Sequence, residues 1–266
     1  MTPKKTALIT GASSGIGREF AKLLGNDGYN LVLVALGRDG LEAARKQIEE
    51  HQKHIDIKIF DLDLSKTENI ESLYAELKAD KIHVDVLVNN AGFGHLGNFY
   101  EEDWRREKGM IDVNVTAVVY LTHLFLPEMI KKGAGKILNV ASTAAFQPGP
   151  RMAVYYATKA FVLSFSEAIA IELEGTGITV TALCPGPTAT HFQSVAGVHN
   201  SRRFRNKVLP SPKEVAEYGY KAMKKGRRVA IYGWLNNILV FSVRLLPRHL
   251  LDHISKYIQD NVKRSY

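Results

Sequence analysis

The sequence predicts an α/β fold in which helices cover both faces of a doubly wound parallel sheet. Short, almost uninterrupted apolar runs alternate with longer helix-like stretches through the first 190 residues. Continuous apolar runs are typical of strands buried on both faces, and strands that alternate with helices form parallel sheets through right-handed crossovers. No repeat or low-complexity linker interrupts the 266 residues, so we expect a single domain, 1–266.

The predicted elements follow in a regular order. The strand candidates are 7–10, 31–36, 57–63, 84–90, 135–142, 178–185 and 228–232. The helix candidates are 18–26, 41–51, 67–79, 115–131, 153–174, 213–225 and an amphipathic C-terminal segment, about 234–262, that breaks at Pro247. The polar stretch at about 187–212 is rich in glycine and proline and is long enough to be a substrate loop.

Composition narrows the class of protein. Hydrophobic residues make up 45% of the chain and charged residues 23%, which is typical of globular proteins. The single cysteine, Cys184, cannot form an internal disulfide, and the N-terminus lacks the apolar run of a signal peptide. No window has 18 uninterrupted apolar residues. We therefore expect a cytoplasmic protein without a transmembrane helix.

Positive charge is concentrated near the C-terminus. Residues 200–266 hold fifteen lysines and arginines against four acidic residues, whereas residues 1–199 hold twenty against twenty-three. This excess of positive charge has four alternative explanations: an anionic ligand, an anionic membrane, nucleic acid or a solubilising surface. We do not expect nucleic-acid binding. Peripheral membrane contact through 234–251 is an alternative to a helix that closes over a substrate pocket, and the helix is favoured.

The stretch TGASSGIG follows the first strand and opens the first helix. Gly11, Gly15 and Gly17 allow a tight turn and close backbone approach, and the helix N-terminus offers free N–H groups to a phosphate. Residues 11–15 also satisfy G-x-S-x-G, the nucleophile elbow of serine hydrolases. An elbow on the first strand would leave no earlier strand to supply the oxyanion loop, so nucleotide binding is favoured.

The end of the second strand bears on the choice of cofactor. NAD-binding proteins usually place a carboxylate there, but this chain has Ala35, Leu36, Gly37 and Arg38. Arg38 is placed to bind a ribose 2′-phosphate. The sequence therefore favours NADP(H), with NAD(H) as the alternative.

The carboxyl ends of the remaining strands carry Asp63, Asn89–Gly92, Ser142 and Pro185-Gly186, and these ends share one crevice in an open α/β sheet. Tyr155 and Tyr156 stand four and three residues before Lys159, and on a helix both spacings reach the lysine. A nearby ammonium favours the phenolate, so a lowered tyrosine pKa is expected.

These motifs, in this order over residues 5–190, resemble the short-chain dehydrogenase/reductase family, including its NAD(P)-dependent hydroxysteroid dehydrogenases and related bacterial members. The resemblance implies a Rossmann-type fold and an oxidoreductase that interconverts a secondary alcohol and a ketone. It implies four catalytic residues: Asn114, Ser142, Tyr155 and Lys159. The family spacing makes Tyr155 the acid/base and Tyr156 a packing or pocket residue.

The resemblance also implies a set of cofactor-binding residues. They are Gly11, Ser13, Ser14, Gly15, Ile16, Gly17, Arg38, Asp63, Leu64, Asn90, Ala91, Gly92, Tyr155, Lys159, Pro185, Gly186 and Thr188. Leu36 stands where many NADP-using relatives have arginine. Asn114 is expected to anchor a proton-relay water.

The expected partners are a small-molecule ketone or alcohol and further copies of the chain, as a homodimer or homotetramer. The apolar C-terminal segment and many arginines favour a bulky hydrophobic substrate with a negative charge, such as a hydroxysteroid or bile acid. A 3-oxoacyl thioester, or a membrane-associated binding protein on the same fold, is the alternative. No metal is expected, because His249 and His253 lack a third ligand motif.

Overall fold

The computed structural model describes residues 4–190, 192, 196 and 209–245. Its centre is a parallel sheet of seven strands in the order β3-β2-β1-β4-β5-β6-β7. The strands are β1 Thr6–Thr10, β2 Asn30–Ala35, β3 Ile57–Asp61, β4 Val84–Asn89, β5 Gly135–Val140, β6 Ile178–Cys184 and β7 Val229–Ile231. The predicted strands and the doubly wound α/β fold are confirmed.

Helices pack on both faces of this sheet. They are α1 Gly15–Asn26, α2 Arg38–Glu49, α3 Thr67–Ala79, α4 Trp104–Ile111, α5 Ala117–Lys132, α6 Ala153–Glu172, α7 Pro212–Lys224 and α8 Trp234–Leu245. Alternate residues of β1 enter different cores, because side chains alternate across a strand. Ala7 and Ile9 pack with α1, α2 and α7, whereas Leu8 packs with α3, α5 and α6.

The chain starts in the middle of the sheet and changes direction once. It builds β1, β2 and β3 towards one edge, then returns so that β4 pairs with β1 on the other side. The connections that follow β1 and β4 run to opposite faces, which opens a crevice at the carboxyl ends of these strands. The ligand site is expected at this crevice.

The stretch before α5 differs from the prediction of a single helix over 115–131. α4 precedes it, and a π-helical turn, Asp112–Thr116, joins α4 to α5. The pattern hid α4 because only Glu107 and Met110 are buried among its eight residues. The wider π turn turns Asn114 fully into the protein.

Near the C-terminus, Ser211 starts α7 with a capping box. Its hydroxyl accepts a hydrogen bond from Glu214 N, and the Glu214 carboxylate accepts one from Ser211 N at 2.8 Å. Most of the predicted substrate loop, the break at Pro247, the remainder of the C-terminal segment and the His249/His253 pair lie outside the described residues.

Two helical stretches, Trp104–Lys132 and Ala153–Glu172, are long and apolar enough to cross a membrane by length and composition alone. Both pack against the sheet through α5 and α6, as core helices of an α/β domain do. The absence of a transmembrane helix stays a prediction.

Candidate active site

One cavity lies in the crevice at the carboxyl ends of β1 and β4, with a volume of about 610 Å³. The structure brings nearly all of the predicted site residues to its wall. Those on the wall are Gly11, Ser13, Ser14, Gly15, Ile16, Asp63, Leu64, Asn90, Ala91, Gly92, Ser142, Tyr155, Lys159, Pro185, Gly186 and Thr188. Gly17, Arg38 and Asn114 do not line it.

The glycine loop is shaped so that a phosphate can approach its backbone. A Cβ on Gly17 would lie 2.3 Å from the carbonyl oxygen of Gly11, and Gly11 itself has φ +65°. The Asn90 amide donates to the carbonyls of Thr10 and Gly11, which ties the loop to β4. Ser14 does not cap the helix with its side chain, so the N-terminal N–H groups of α1 face a ligand unshielded. These residues fit a dinucleotide pyrophosphate.

At the adenosine end, Asp63 is fixed by Ser65, whose hydroxyl and backbone N–H donate to the carboxylate at 2.7 and 3.0 Å. These hydrogen bonds, that of the hydroxyl above all, hold the pKa of Asp63 below its ordinary value, so it stays charged at neutral pH. Leu36 lines the cavity and is 74% exposed. Arg38 lies outside the wall, with its guanidinium 3.4 Å from Glu42.

The four predicted catalytic residues come from three elements. Tyr155 and Lys159 lie on α6, Ser142 follows β5, and Asn114 lies in the π turn. Lys159 Nζ donates to the carbonyl of Val140 at 2.8 Å and lies 5.9 Å from the centroid of the Tyr155 ring. The phenol of Tyr155 is hydrogen-bonded to the Ser142 hydroxyl. Tyr155 therefore lies next to both Ser142 and Lys159, in the position that the family spacing implies for the acid/base.

Asn114 is completely buried behind the cavity wall, and both the nitrogen and the oxygen of its side-chain amide form hydrogen bonds within the protein. It donates to the carbonyl of Phe93 and to the Thr158 hydroxyl, and its oxygen accepts from Phe93 N. A Cβ on Gly92 would lie 2.9 Å from this oxygen and 3.3 Å from Lys159 Nζ. The Asn114 side chain thus fixes the loop after β4 against α6. The water-anchoring role expected of Asn114 stays a prediction.

Comparison with known proteins agrees with this geometry. The model of the short chain dehydrogenase family matches residues 5–199. The chain belongs to the short-chain dehydrogenase family.

Relatives and solved structures place this short-chain dehydrogenase among enzymes of varied substrate. It is 35% identical to D-beta-hydroxybutyrate dehydrogenase of Cupriavidus necator, over 68% of this chain and 70% of the relative. It is 30% identical to hydroxysteroid dehydrogenase-like protein 1 of Gallus gallus, over 94% and 75%.

A short-chain dehydrogenase from Sphingobium yanoikuyae in complex with NADPH superposes with a TM-score of 0.80 at 27% identity, covering 98% of each chain. The 3-ketoacyl-(acyl-carrier-protein) reductase of Brucella melitensis, complexed with NADH, gives 0.74 at 33% identity, over 85% of this chain and 95% of that one. The chain is therefore an oxidoreductase of the alcohol dehydrogenase and ketoreductase type. The cofactors bound to these neighbours are consistent with NADP(H) as the favoured cofactor and NAD(H) as the alternative.

Burial sets the protonation of the Tyr155–Lys159 pair. It raises the pKa of Tyr155 above its ordinary value, and the hydrogen bond from Ser142 offsets only part of this rise. Burial also lowers the pKa of Lys159 to about 8. The expected lowering of the tyrosine pKa concerns the complex with an oxidised nicotinamide, whose charge adds to that of the ammonium, and it stays a prediction. A neutral Tyr155 is the proton-donating form that ketone reduction needs.

The wall beyond Tyr155 is largely apolar and was not anticipated from the sequence. It is lined by Phe93, Val113, Gln147, Met152, Tyr156 and Phe192. The Phe192 ring lies 5.2 Å from that of Tyr155, and a Cβ on Gly94 would touch both Phe192 and Met152. No periodic pattern in the sequence links these positions, because they lie far apart in the chain. Their closeness in sequence to the catalytic motifs is the one signal that could have identified them as pocket residues.

Cys184 is a buried free thiol at the end of β6, and burial raises its pKa to about 12. Its interpretation as a core residue is confirmed.

Proposed function

We propose that this short-chain dehydrogenase interconverts a secondary alcohol and a ketone on a bulky hydrophobic molecule such as a hydroxysteroid or bile acid. The observation that carries the proposal is the apolar wall facing Tyr155, which includes Phe93, Val113, Met152 and Phe192. A small polar ketone would leave this surface in contact with water, whereas a bulky apolar skeleton covers it. The relationship to a hydroxysteroid dehydrogenase-like protein supports the same substrate class.

The reacting oxygen is recognised by two hydroxyls. Ser142 receives a hydrogen bond from Ala144 N at 3.0 Å, which orients its side chain towards the cavity. From there it donates to the carbonyl oxygen and stabilises the charge that develops on it. A nicotinamide cofactor, when bound, supplies the hydride. Tyr155, kept neutral by burial, delivers the proton to the same oxygen.

Lys159 holds this arrangement together. Its ammonium is anchored by the Val140 carbonyl and lies beside the Tyr155 ring, where its positive charge stabilises the phenolate that remains after proton transfer. Gly92 lets Nζ approach the loop after β4 closely, because a side chain there would meet Lys159 and Asn114.

The cofactor is proposed to be NADP(H) in preference to NAD(H). None of the residues that line the described cavity beside Leu36 and Ser13 is acidic, and the nearby Asp61 carboxylate accepts a hydrogen bond from Gly37 N at 2.7 Å outside this wall. Arg38 begins α2 next to this wall, and its ion pair with Glu42 is 3.4 Å long and solvent-exposed. Such a pair is weak, so turning the guanidinium to a phosphate costs little.

A 3-oxoacyl thioester is the second candidate. It is favoured by the relationship to a 3-ketoacyl-(acyl-carrier-protein) reductase at 33% identity and by the basic residues 200–266, which suit a phosphate-bearing carrier. The two candidates differ in the shape of the apolar part and in the charge next to it.

A substrate panel followed at the NAD(P)H absorbance distinguishes them. Keto bile acids, neutral ketosteroids, acetoacetyl-CoA and small neutral ketones are each tested with NADPH and NADH, with Tyr155→Phe as the control for genuine turnover. We expect the highest kcat/KM for a steroid-sized ketone with NADPH. Efficient turnover of small neutral ketones, with steroids and thioesters inert, would overturn the proposal.

The assembly and the location are proposals too. We propose a cytoplasmic homodimer or homotetramer that pairs through α5 and α6, where Ile130, Phe161 and Ile171 are exposed. Sedimentation velocity of the wild type and of Phe161→Glu tests the contact. A monomeric wild-type protein would refute it.

A further inference from the structure

We propose that Gln147 selects ketones that carry a second hydrogen-bonding group on the side of the molecule away from the reacting carbonyl. The inference rests on the proposed function and specifies its substrate class. Gln147 belongs to none of the sequence motifs and has no role in the proposed hydride and proton transfer.

Gln147 reaches the cavity by way of the turn that starts at the catalytic serine. A 3₁₀ turn, Thr143–Phe146, begins directly after Ser142, and Gln147 follows it with extended backbone at φ −151° and ψ 158°. Both ends of this turn line the same cavity. Ser142 therefore faces the reacting oxygen, and Gln147 faces another part of the same ligand.

The side-chain amide of Gln147 is a polar group in a largely apolar cavity wall. The cavity that Gln147 lines also has apolar or aromatic side chains in its wall, namely Phe93, Val113, Met152, Tyr156 and Phe192. Within the part of the chain that the structure describes, the Gln147 side chain makes no hydrogen bond. An amide can both donate and accept, and an apolar setting penalises an amide left unpaired when a ligand expels water. A ligand that pairs with it is therefore preferred over one that does not.

The loop that follows Gln147 is joined to α6, the helix that carries Tyr155. Gly149 lies against the Tyr156 ring so closely that a Cβ would come within 2.3 Å of it. Met152 N donates to the carbonyl of Gly149, and Tyr156 N to that of Met152. Gln147 thus lies between two segments, Ser142 and this loop, that both lead to the catalytic residues.

The turn also sets the distance between the two contacts. A 3₁₀ helix rises about 2.0 Å per residue, so the five residues from Ser142 to Gln147 span roughly 10 Å. The two residues therefore contact different parts of the substrate, and the group that Gln147 meets is remote from the reacting carbonyl. Because the amide is neutral, a hydroxyl, a carbonyl or a carboxylate can each occupy this contact.

The test is a cycle of two substrates and two enzymes. The substrates are two fused-ring ketones of the same skeleton, one with and one without a hydroxyl on the ring far from the ketone. The enzymes are the wild type and Gln147→Leu, which keeps the side-chain size and removes the amide. Far-ultraviolet circular dichroism and NADPH titration check that the variant is folded and binds the cofactor.

We expect the wild type to prefer the hydroxylated ketone by about tenfold in kcat/KM, since a discriminating hydrogen bond in such a site contributes about this factor or more. Gln147→Leu should lose that preference through KM, so that its kcat/KM values for the two ketones come within about twofold of each other. Gln147→Glu, which retains an acceptor for the hydroxyl, should restore part of the preference.

Two results overturn the inference and are distinguishable. If the wild type turns over both ketones equally, or if Gln147→Leu keeps the wild-type preference, the role of Gln147 is refuted and the alcohol–ketone chemistry stands. If the wild type turns over neither ketone but acts on acetoacetyl-CoA, the steroid-sized substrate itself is refuted and the inference falls with it.

Discussion

Lys159 is expected to destabilise the fold in which it acts, so Lys159→Met should give a more stable but inactive protein. The lysine is 5% exposed, and burial lowers its pKa from 10.5 to about 8. This difference of about 2.5 pKa units corresponds to about 3 kcal/mol. Because the unfolded chain binds the proton more tightly, the penalty is fully present below pH 8, and stability recovers as the pH rises towards 10.5.

The net effect of the substitution is smaller than this penalty. Methionine has a similar length without a charge, but the carbonyl of Val140 loses the donor that Nζ supplies at 2.8 Å. A buried acceptor left without its partner costs about 1 kcal/mol. Lys159→Met should therefore raise the free energy of unfolding at pH 7 by about 2 kcal/mol, and the gain should shrink between pH 8 and pH 10.

Urea unfolding without cofactor, followed by tryptophan fluorescence at pH 7, 8, 9 and 10, measures this difference. Lys131→Met, at an exposed position on α5, is the matched control and should change stability by less than about 0.5 kcal/mol. Turnover of Lys159→Met should fall by roughly 10²-fold or more. A variant that is less stable than the wild type by a pH-independent amount would refute the reasoning, since Lys159 would then stabilise the fold by packing alone.

Three further predictions concern single residues. Tyr155→Phe should lower turnover by roughly 10²- to 10⁴-fold without changing the affinity for NADPH, while Tyr156→Phe retains most activity. Steady-state rates measure turnover and fluorescence titration measures NADPH affinity. The reverse ranking of the two variants would overturn the assignment. Gly17→Ala should weaken NADPH binding at least tenfold, because its methyl group would lie 2.3 Å from the Gly11 carbonyl, and calorimetric titration giving unchanged affinity would contradict the tight glycine loop. Ser211→Ala should lower the free energy of unfolding by about 1 kcal/mol in urea melts with kcat unchanged, and an unaltered midpoint would show that the cap of α7 contributes nothing.

Much of the site could be predicted because its signals are local. The glycine loop, the spacing of Tyr155 and Lys159 and the polar ends of the buried strands are all set within a few residues by turn, helix and strand geometry. Parallel strands bring their carboxyl ends to one edge, so these short motifs converge without any knowledge of long-range packing.

The parts that the sequence did not reveal depend on residues far apart in the chain. The pattern hid α4 because little of it faces the core, and it could not show that Asn114 turns inward to bind Phe93 and Thr158. It also could not show that Arg38 lies outside the cavity wall in an exposed ion pair with Glu42, so its contact with the cofactor stays a prediction.

The sequence alone determined the α/β fold and, through short motifs and the family resemblance, indicated the cofactor loop and the candidate catalytic residues. Only the tertiary structure showed that Tyr155 is hydrogen-bonded to Ser142, that burial raises its pKa and that Gln147 lines a cavity with a largely apolar wall. The physical reason is that pKa values and binding preferences depend on removal from water. Burial is a property of the assembled layers and not of any single segment.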